Sequence, residues 1–183
     1  MRPALKLAGG AAALLTSGSL MLFSPGLQDH LGRWEGSGIH VVYADRLANG
    51  LPTVCKGITP HTSPVPLRIG DTWTAQQCLD AERWVVSRDQ RALAACIRVP
   101  VSQAVFDALS SHAHNFGVPS TCASRAVALI NAGELAAGCD ALAHAPDGTP
   151  VWSYVTQAGR KTFVRGLYQR RLAERALCLS GQP

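Results

Sequence analysis

The chain has 183 residues, 47% of them hydrophobic and 16% charged, with a formal net charge of +5. That length suits one domain, or one domain with a short tail, and the composition supports a buried core and excludes an intrinsically disordered chain. The positive balance calls for an acidic partner, yet the basic residues form no dense run interleaved with aromatics. Nucleic acid is therefore not expected, whereas a carboxylate-bearing wall polymer or a membrane surface fits the charge.

At the N-terminus, Arg2 and Lys6 precede seventeen uncharged residues, Leu7 to Phe23, followed by Ser24-Pro25-Gly26. As a helix this run spans about 25 Å, slightly short of a bilayer core. Three glycines, Thr16, Ser17 and Ser19 dilute it, so membrane insertion is favourable but weak. A cleaved signal peptide, a permanent anchor and an uncleaved anchor that later leaves the membrane all compete. The small-x-small site Ser17-Gly18-Ser19 lies inside the apolar run with no Ala-x-Ala after it, which disfavours cleavage. The Gly and Ser content disfavours a permanent anchor, so the releasable one is favoured, with the cleaved signal peptide kept as the alternative. All three put the folded domain outside the cytoplasm.

Leu27, Leu31 and Trp34 fall at helical spacing after Pro25-Gly26, and Gly36 with Gly38 ends that helix just past Glu35. His40 to Tyr43 is β-branched and aromatic and reads as a strand; Asn49-Gly50 and Pro52 supply turn chemistry, and Thr53-Val54-Cys55 reads as the return strand. A carboxyl at a helix end and another, Asp45, on a facing hairpin can approach each other across a cleft. Glycoside hydrolysis needs such a pair, one carboxyl held protonated and one ionised. Trp34 beside Glu35 would raise its pKa by desolvation, Asp45 beside Arg46 sits in polar company, and the Thr53 hydroxyl can hold a water against Asp45.

Pro60 to Gly70 reads as a loop at the cleft rim or surface. Thr74 and Gln77 fit a capping box, opening a helix of about twenty residues with Cys78, Ala81, Val85, Leu93 and Cys96 among its less polar positions, broken by Pro100. Ser102 caps a central helix through Val105, Leu109 and Ala113, ended by Gly117. Helices are expected at about 121–132 and 134–144, a loop over 149–159 around Trp152 and Tyr154, and a last helix over about 162–179 with Leu167, Leu172, Ala176 and Leu179 apolar. Trp152 and Tyr154 read as packing residues before sugar platforms. The arginines of the last helix read as a solvated face with pairs such as Arg170–Glu174. His112 and His114 point apart at i, i+2, so neither a metal site nor any other cofactor is expected.

The six cysteines, Cys55, Cys78, Cys96, Cys122, Cys139 and Cys178, lack Cys-x-x-Cys or zinc spacing and read as structural disulfides of an oxidising compartment. Of the fifteen pairings that six cysteines allow, the sequential one is expected: Cys55–Cys78, Cys96–Cys122 and Cys139–Cys178.

Trp34-Glu35-Gly36, Tyr43-Ala44-Asp45 and Pro52-Thr53-Val54-Cys55-Lys56-Gly57-Ile58-Thr59 resemble the phage-type lysozymes of glycoside hydrolase family 24, the endolysins of tailed phages. Ala108 to Ser111 with Asn115-Phe116-Gly117 is similar to that family's central helix, and Gly166 to Arg175 with Cys178 to its C-terminal helix. The resemblance covers residue 27 to the end. It implies an α+β lysozyme fold, mostly helical with a small β-hairpin lobe, preceded by an N-terminal hydrophobic helix. It also implies hydrolysis of the β-1,4 bond between N-acetylmuramic acid and N-acetylglucosamine in peptidoglycan. Carried over residue by residue, Glu35 is the general acid, Asp45 the base or electrostatic partner and Thr53 the water-positioning hydroxyl.

Two features depart from the family pattern. The Glu35–Asp45 and Asp45–Thr53 gaps are longer than usual, with the extra residues in loop positions, and His112 and His114 stand where relatives commonly carry aromatics. The N-terminal segment resembles the signal-anchor-release endolysins. That implies a segment 1–26 and a catalytic domain 27–183, held inactive at the host inner membrane through residues 7–23, facing the periplasm, and then released as a monomer. A lytic transglycosylase and a non-catalytic wall-binding module are the alternatives.

Overall fold

The computed structural model describes residues 19–34, 38–157 and 159–181. The order is α1 (Pro25–Trp34), β1 (Ile39–Asp45), β2 (Leu51–Cys55), α2 (Ala75–Ala94), α3 (Gln103–Phe116), α4 (Val118–Cys122), α5 (Arg125–Asn131), α6 (Leu135–Asp140), β3 (Tyr154–Gln157), β4 (Arg160–Phe163) and α7 (Arg165–Ser180). The result is an α+β fold, a β1–β2 hairpin lobe and a larger helical lobe, with α2 packed into both. Residues 1–18, which hold most of the expected hydrophobic helix, lie outside the described part. Among the described residues no helix is long and apolar enough to cross a membrane. The end of the apolar run packs on the domain: Leu20 and Leu22 lie against the helical core and Phe23 is buried with Leu27, Leu31 and Val86.

α1 starts where Ser24 caps it, its hydroxyl accepting from the Leu27 amide at 3.0 Å, with Pro25 supplying a φ already suited to the first turn. Leu27 and Leu31 are fully buried and Trp34 half-buried, so the stripe legible in the sequence is the one that packs. β1 and β2 pair antiparallel, Tyr43 opposite Thr53 and Asp45 opposite Leu51, with a bulge between Ile39 and Tyr43. There β1 turns to the 70–73 segment: the Val42 and Trp73 amides donate to Asp71 and His40 carbonyls at 2.8 and 2.7 Å. The connection is a 3-10 turn, Arg46–Ala48, closed by Asn49 and Gly50, both at positive φ, as Asn-Gly in a tight hairpin favours.

α2 carries the full capping box at Thr74 and Gln77, and α3 is capped by Ser102 and stopped by Gly117. The hairpin side is closed by Val42, Val54, Ile58, Trp73, Ala81 and Val85; the helical side by Leu93, Phe106, Leu109, Val127, Ile130 and Leu142. Three disulfides follow the sequential pairing: Cys55–Cys78 ties β2 to α2, Cys96–Cys122 ties the α2 exit to α4, and Cys139–Cys178 ties α6 to α7.

Several sequence expectations are corrected. α2 stops at Ala94, short of Cys96 and Pro100, because the Asn131 side chain takes over the exit, donating to the Cys96 carbonyl at 2.9 Å and accepting from the Arg98 amide at 2.7 Å. The helix expected over 121–132 is two: α4 begins early, with Pro119 in its first turn, and Ser124 caps a fresh start through the Val127 amide. The helix expected over 134–144 ends at Asp140. The expected 149–159 loop contains β3, which pairs with β4 from Tyr154 opposite Phe163 to Gln157 opposite Arg160, delaying α7 to Arg165. The aromatic and β-branched residues flanking Gly159 are a hairpin signal, but both strands are short and largely exposed, so no apolar alternation announces them.

The largest correction concerns α7. Its arginines are not a solvated face: Arg170, Arg171, Glu174 and Cys178 are the buried positions, while Leu167, Leu172 and Leu179 are half-buried and Ala176 is exposed. The buried stripe of this helix is polar, and it packs on Ser111 of α3, whose hydroxyl donates to the Glu174 carboxylate at 2.7 Å.

Candidate active site

The last turn of α1 and the first residues of β1 flank Glu35, which with Gly36 and Ser37 lies outside the described residues. Its surroundings are described. Trp34 closes α1 with its indole N–H buried and, among the described residues, unpartnered, as is Nε2 of His30 one turn earlier. Burial, together with Arg170, Arg33 and Arg171, lowers the His30 pKa to about 4, which keeps this ring neutral. On the other side, Gly38 has φ +40° and lies against β2: a Cβ there would stand 3.0 Å from the carbonyl carbon of Cys55. Only glycine lets the chain leave α1 and come that close to the return strand.

Asp45 is the half-buried last residue of β1, and its carbonyl accepts from the Gly50 amide at 2.7 Å. Thr53 is buried on β2, its hydroxyl donating to the Leu51 carbonyl at 3.1 Å. With its proton committed there, the Thr53 oxygen retains lone pairs that can only accept. Because Thr53 pairs with Tyr43, and Asp45 follows Tyr43 by two, Asp45 and Thr53 share a face of the hairpin as diagonal neighbours. Such pairs stand about 7–8 Å apart at the backbone, leaving room for a water between short side chains.

At the Cys55 end of β2 runs a groove. One part, of about 340 Å³, is walled by Gly38, His40, Lys56, Leu79, Glu82 and His114. The next, of about 290 Å³, adds Gly57, Thr62, Asp89 and Asn115 and shares Lys56, Ile58, Val85 and His114 with the first. The groove thus separates hairpin, α2 and the C-terminal end of α3, and begins three residues past Glu35. The Lys56 ammonium and Glu82 carboxylate meet at 3.3 Å, coupling β2 to α2. Lys56 belongs to the Thr-Val-Cys-Lys-Gly-Ile-Thr motif, and Glu82 is in helical phase with Cys78 and Val85, the signal in the sequence that sets it on the groove side of α2.

Beneath the α3 end lies an ionic cluster. Glu174 takes a hydrogen bond from Arg171 at 2.7 Å, with the Arg170 Nε at 3.5 Å. Burial pushes the Glu174 carboxyl above its ordinary value against the pull of Arg171, Ser111 and Arg170, and burial lowers the Arg171 guanidinium to about 10 despite Glu174. Arg171 also lies over the Phe116 ring, 4.7 Å from its centroid. His112 is fully buried, its Nδ1 2.8 Å from the Thr121 hydroxyl and its ring edge-on to Trp152; burial and the two arginines lower its pKa to about 3. His112 is therefore a core histidine, and Trp152 packs on it and on Phe116. His114 lines the groove, and no group of His, Cys, Asp or Glu among the described residues could hold a metal ion.

Comparison with known proteins agrees with this architecture. The phage lysozyme family model matches residues 32–174. The chain is 33% identical over 130 residues to the SAR-endolysin of Pseudomonas phage phiKMV, covering 71% of this chain and 73% of that one. It is 30% identical over 174 residues to the SAR-endolysin of Enterobacteria phage P21, covering 95% and 91%. Among solved structures, the endolysin from Escherichia coli O157:H7 phage FAHEc1 superposes with a TM-score of 0.72 at 28% identity, over 91% of this chain and 98% of that one. A groove between a β-hairpin and a helical lobe, bordered by Gly38 and by Cys55, Lys56 and Gly57 at the end of β2, is thus found in a chain that belongs to the phage lysozyme family.

Proposed function

We propose that this endolysin cleaves the β-1,4 bond between N-acetylmuramic acid and N-acetylglucosamine by a single displacement, with Glu35 as general acid and Asp45 and Thr53 holding the attacking water. The strand register supports this reading: Asp45 and Thr53 are diagonal neighbours on one face, a relation that suits two groups sharing one water. The Thr53 oxygen accepts a hydrogen bond from the water because its own proton is engaged by Leu51, and the Asp45 carboxylate takes the water's other proton as the attack proceeds. The water oxygen is then aimed at the anomeric carbon while Glu35 protonates the departing glycosidic oxygen, and the configuration inverts.

Glu35→Gln in a folded protein should lower release of reducing ends from purified sacculi by about 10²–10⁴-fold. Asp45→Asn and Thr53→Ala should each lower kcat, with product of inverted anomeric configuration. Full activity of both variants together with anhydro-sugar ends would replace hydrolysis by transglycosylation, and retained anomers would remove the single displacement. A Glu35→Gln protein as active as its parent would remove the catalytic assignment.

The same reading places a releasable tether in residues 7–23, with the domain at the periplasmic face of the inner membrane before release; the similarity to two SAR-endolysins supports it. Replacing Gly9, Gly10 and Gly18 by Leu strengthens membrane insertion and should hold the protein in the membrane fraction and delay lysis. Unchanged lysis timing would count against release.

A further inference from the structure

On the flank of α2 turned away from the groove is a second concavity, of about 410 Å³, lined by Pro64, Val65, Trp73, Gln77, Asp80, Ala81 and Trp84. None of these residues lines the groove. Trp84 is 45% exposed and Val65 50% exposed, in a helix and a loop where no packing requires a large apolar side chain to face water. The indole is nevertheless held in place: the Arg88 guanidinium carbon sits 5.4 Å from its ring centroid, and Arg88 is itself fixed by Asp89 at 2.9 Å.

The polar groups beside it are equally committed. Gln77 spends its side-chain carbonyl on the Thr74 amide at 2.8 Å, leaving the NH₂ to donate. Asp80 receives the Gln76 amide on one oxygen at 2.9 Å, leaving the other to accept. An aromatic side chain with one acceptor and one donor lining the same pocket suits a pyranose ring, whose C–H face stacks on the indole while hydroxyl and acetamido groups meet the carboxylate and the amide. A bilayer asks for a convex apolar rim with basic neighbours, whereas this pocket is concave and carries a carboxylate. Arg88 at the rim matches the acidic substituents that a wall glycan carries.

We infer that the Trp84 pocket is a second glycan-binding site, taking an N-acetylated sugar of a peptidoglycan strand other than the one in the groove. The inference rests on the peptidoglycan reading above. A second foothold raises the effective concentration of the enzyme at an insoluble polymer without touching the chemistry.

The test uses the full chain carrying Glu35→Gln, so that binding is read without hydrolysis, sedimented with purified sacculi and separately with phosphatidylethanolamine/phosphatidylglycerol vesicles. Trp84→Ala and Asp80→Ala should each weaken retention on sacculi about fivefold, Trp84→Phe should keep most of it, and vesicle binding should not change. In the otherwise native chain, Trp84→Ala should slow digestion of sacculi while leaving the rate on a short soluble glycan unaltered. Retention equal to the parent's in both Trp84→Ala and Asp80→Ala overturns the site. A loss seen on vesicles as much as on sacculi overturns it in favour of a lipid contact. A parent chain that neither binds nor digests sacculi would instead defeat the peptidoglycan reading, which separates the two failures.

Discussion

Glu174 is the residue whose setting departs furthest from its chemistry. A carboxylate with no exposed surface, beside two buried guanidiniums and a serine hydroxyl, trades a large desolvation cost for the attraction of Arg171 and Arg170. Removing it takes the carboxylate away from the buried Arg171 and Arg170 guanidiniums and the Ser111 hydroxyl. Glu174→Ala should therefore destabilise the fold by about 3–5 kcal/mol, read as a lower urea midpoint, and Glu174→Gln by less because it still accepts from Ser111 and Arg171. Equal stability of parent and Glu174→Ala would show that the cluster contributes nothing to the fold. Gly38 illustrates the opposite case, in which the absence of a side chain is the requirement, since a Cβ would meet the backbone of Cys55 where the chain leaves Glu35 for β1.

Among the elements, the β1–β2 hairpin has the most to hold and the least backbone to hold it. Among the described residues it pairs with itself, with the 70–73 segment and, through Val54, with Ile58, and its grip on α2 comes from the Val42, Val54 and Val85 cluster, the Lys56–Glu82 pair and the Cys55–Cys78 bridge. The bridge closes a loop across a separation of 23 residues. Chain-entropy reasoning assigns such a closure about 3 kcal/mol. Cys55→Ser with Cys78→Ser should lower thermal stability accordingly and speed amide exchange in β2 ahead of α3. Unchanged exchange in β2 would mean that packing alone seats the hairpin.

For the molecule as a whole, two buried neutral histidines set a direction for acid stability. His30 and His112 have folded pKa values of about 4 and about 3, below the ordinary 6.5. The unfolded chain binds protons at these sites first, so their contribution is fully present above about pH 6.5 and is lost as pH falls toward 4 and 3. Burial raises Asp107 and Glu174, which gives a slope of opposite sign, so the histidine share is read as a difference. Stability of the His30→Phe variant should fall less than that of the parent between pH 6.5 and 4 in urea titrations. Parallel curves would mean that His30 is not buried as a neutral ring.

Local signals carried α1, the capped α2 and α3, and the hairpin turn, because caps, Asn-Gly turns and helical spacing act within a few residues. Motif resemblance carried the family, and with it the reading of Glu35, Asp45 and Thr53. The sequential disulfides were likewise anticipated from the chain. What residue order could not reveal depended on contacts far apart in sequence. Asn131 ends α2 from across the fold, and exposed strands β3 and β4 pair without an apolar pattern. Glu174 meets Ser111 from 63 residues away, drawing charged side chains into the interior. Hydrophobic periodicity predicts which face of a helix is buried only when burial is apolar. In α7 ion pairing decides, and an ion pair with a distant hydroxyl leaves no local trace in the sequence.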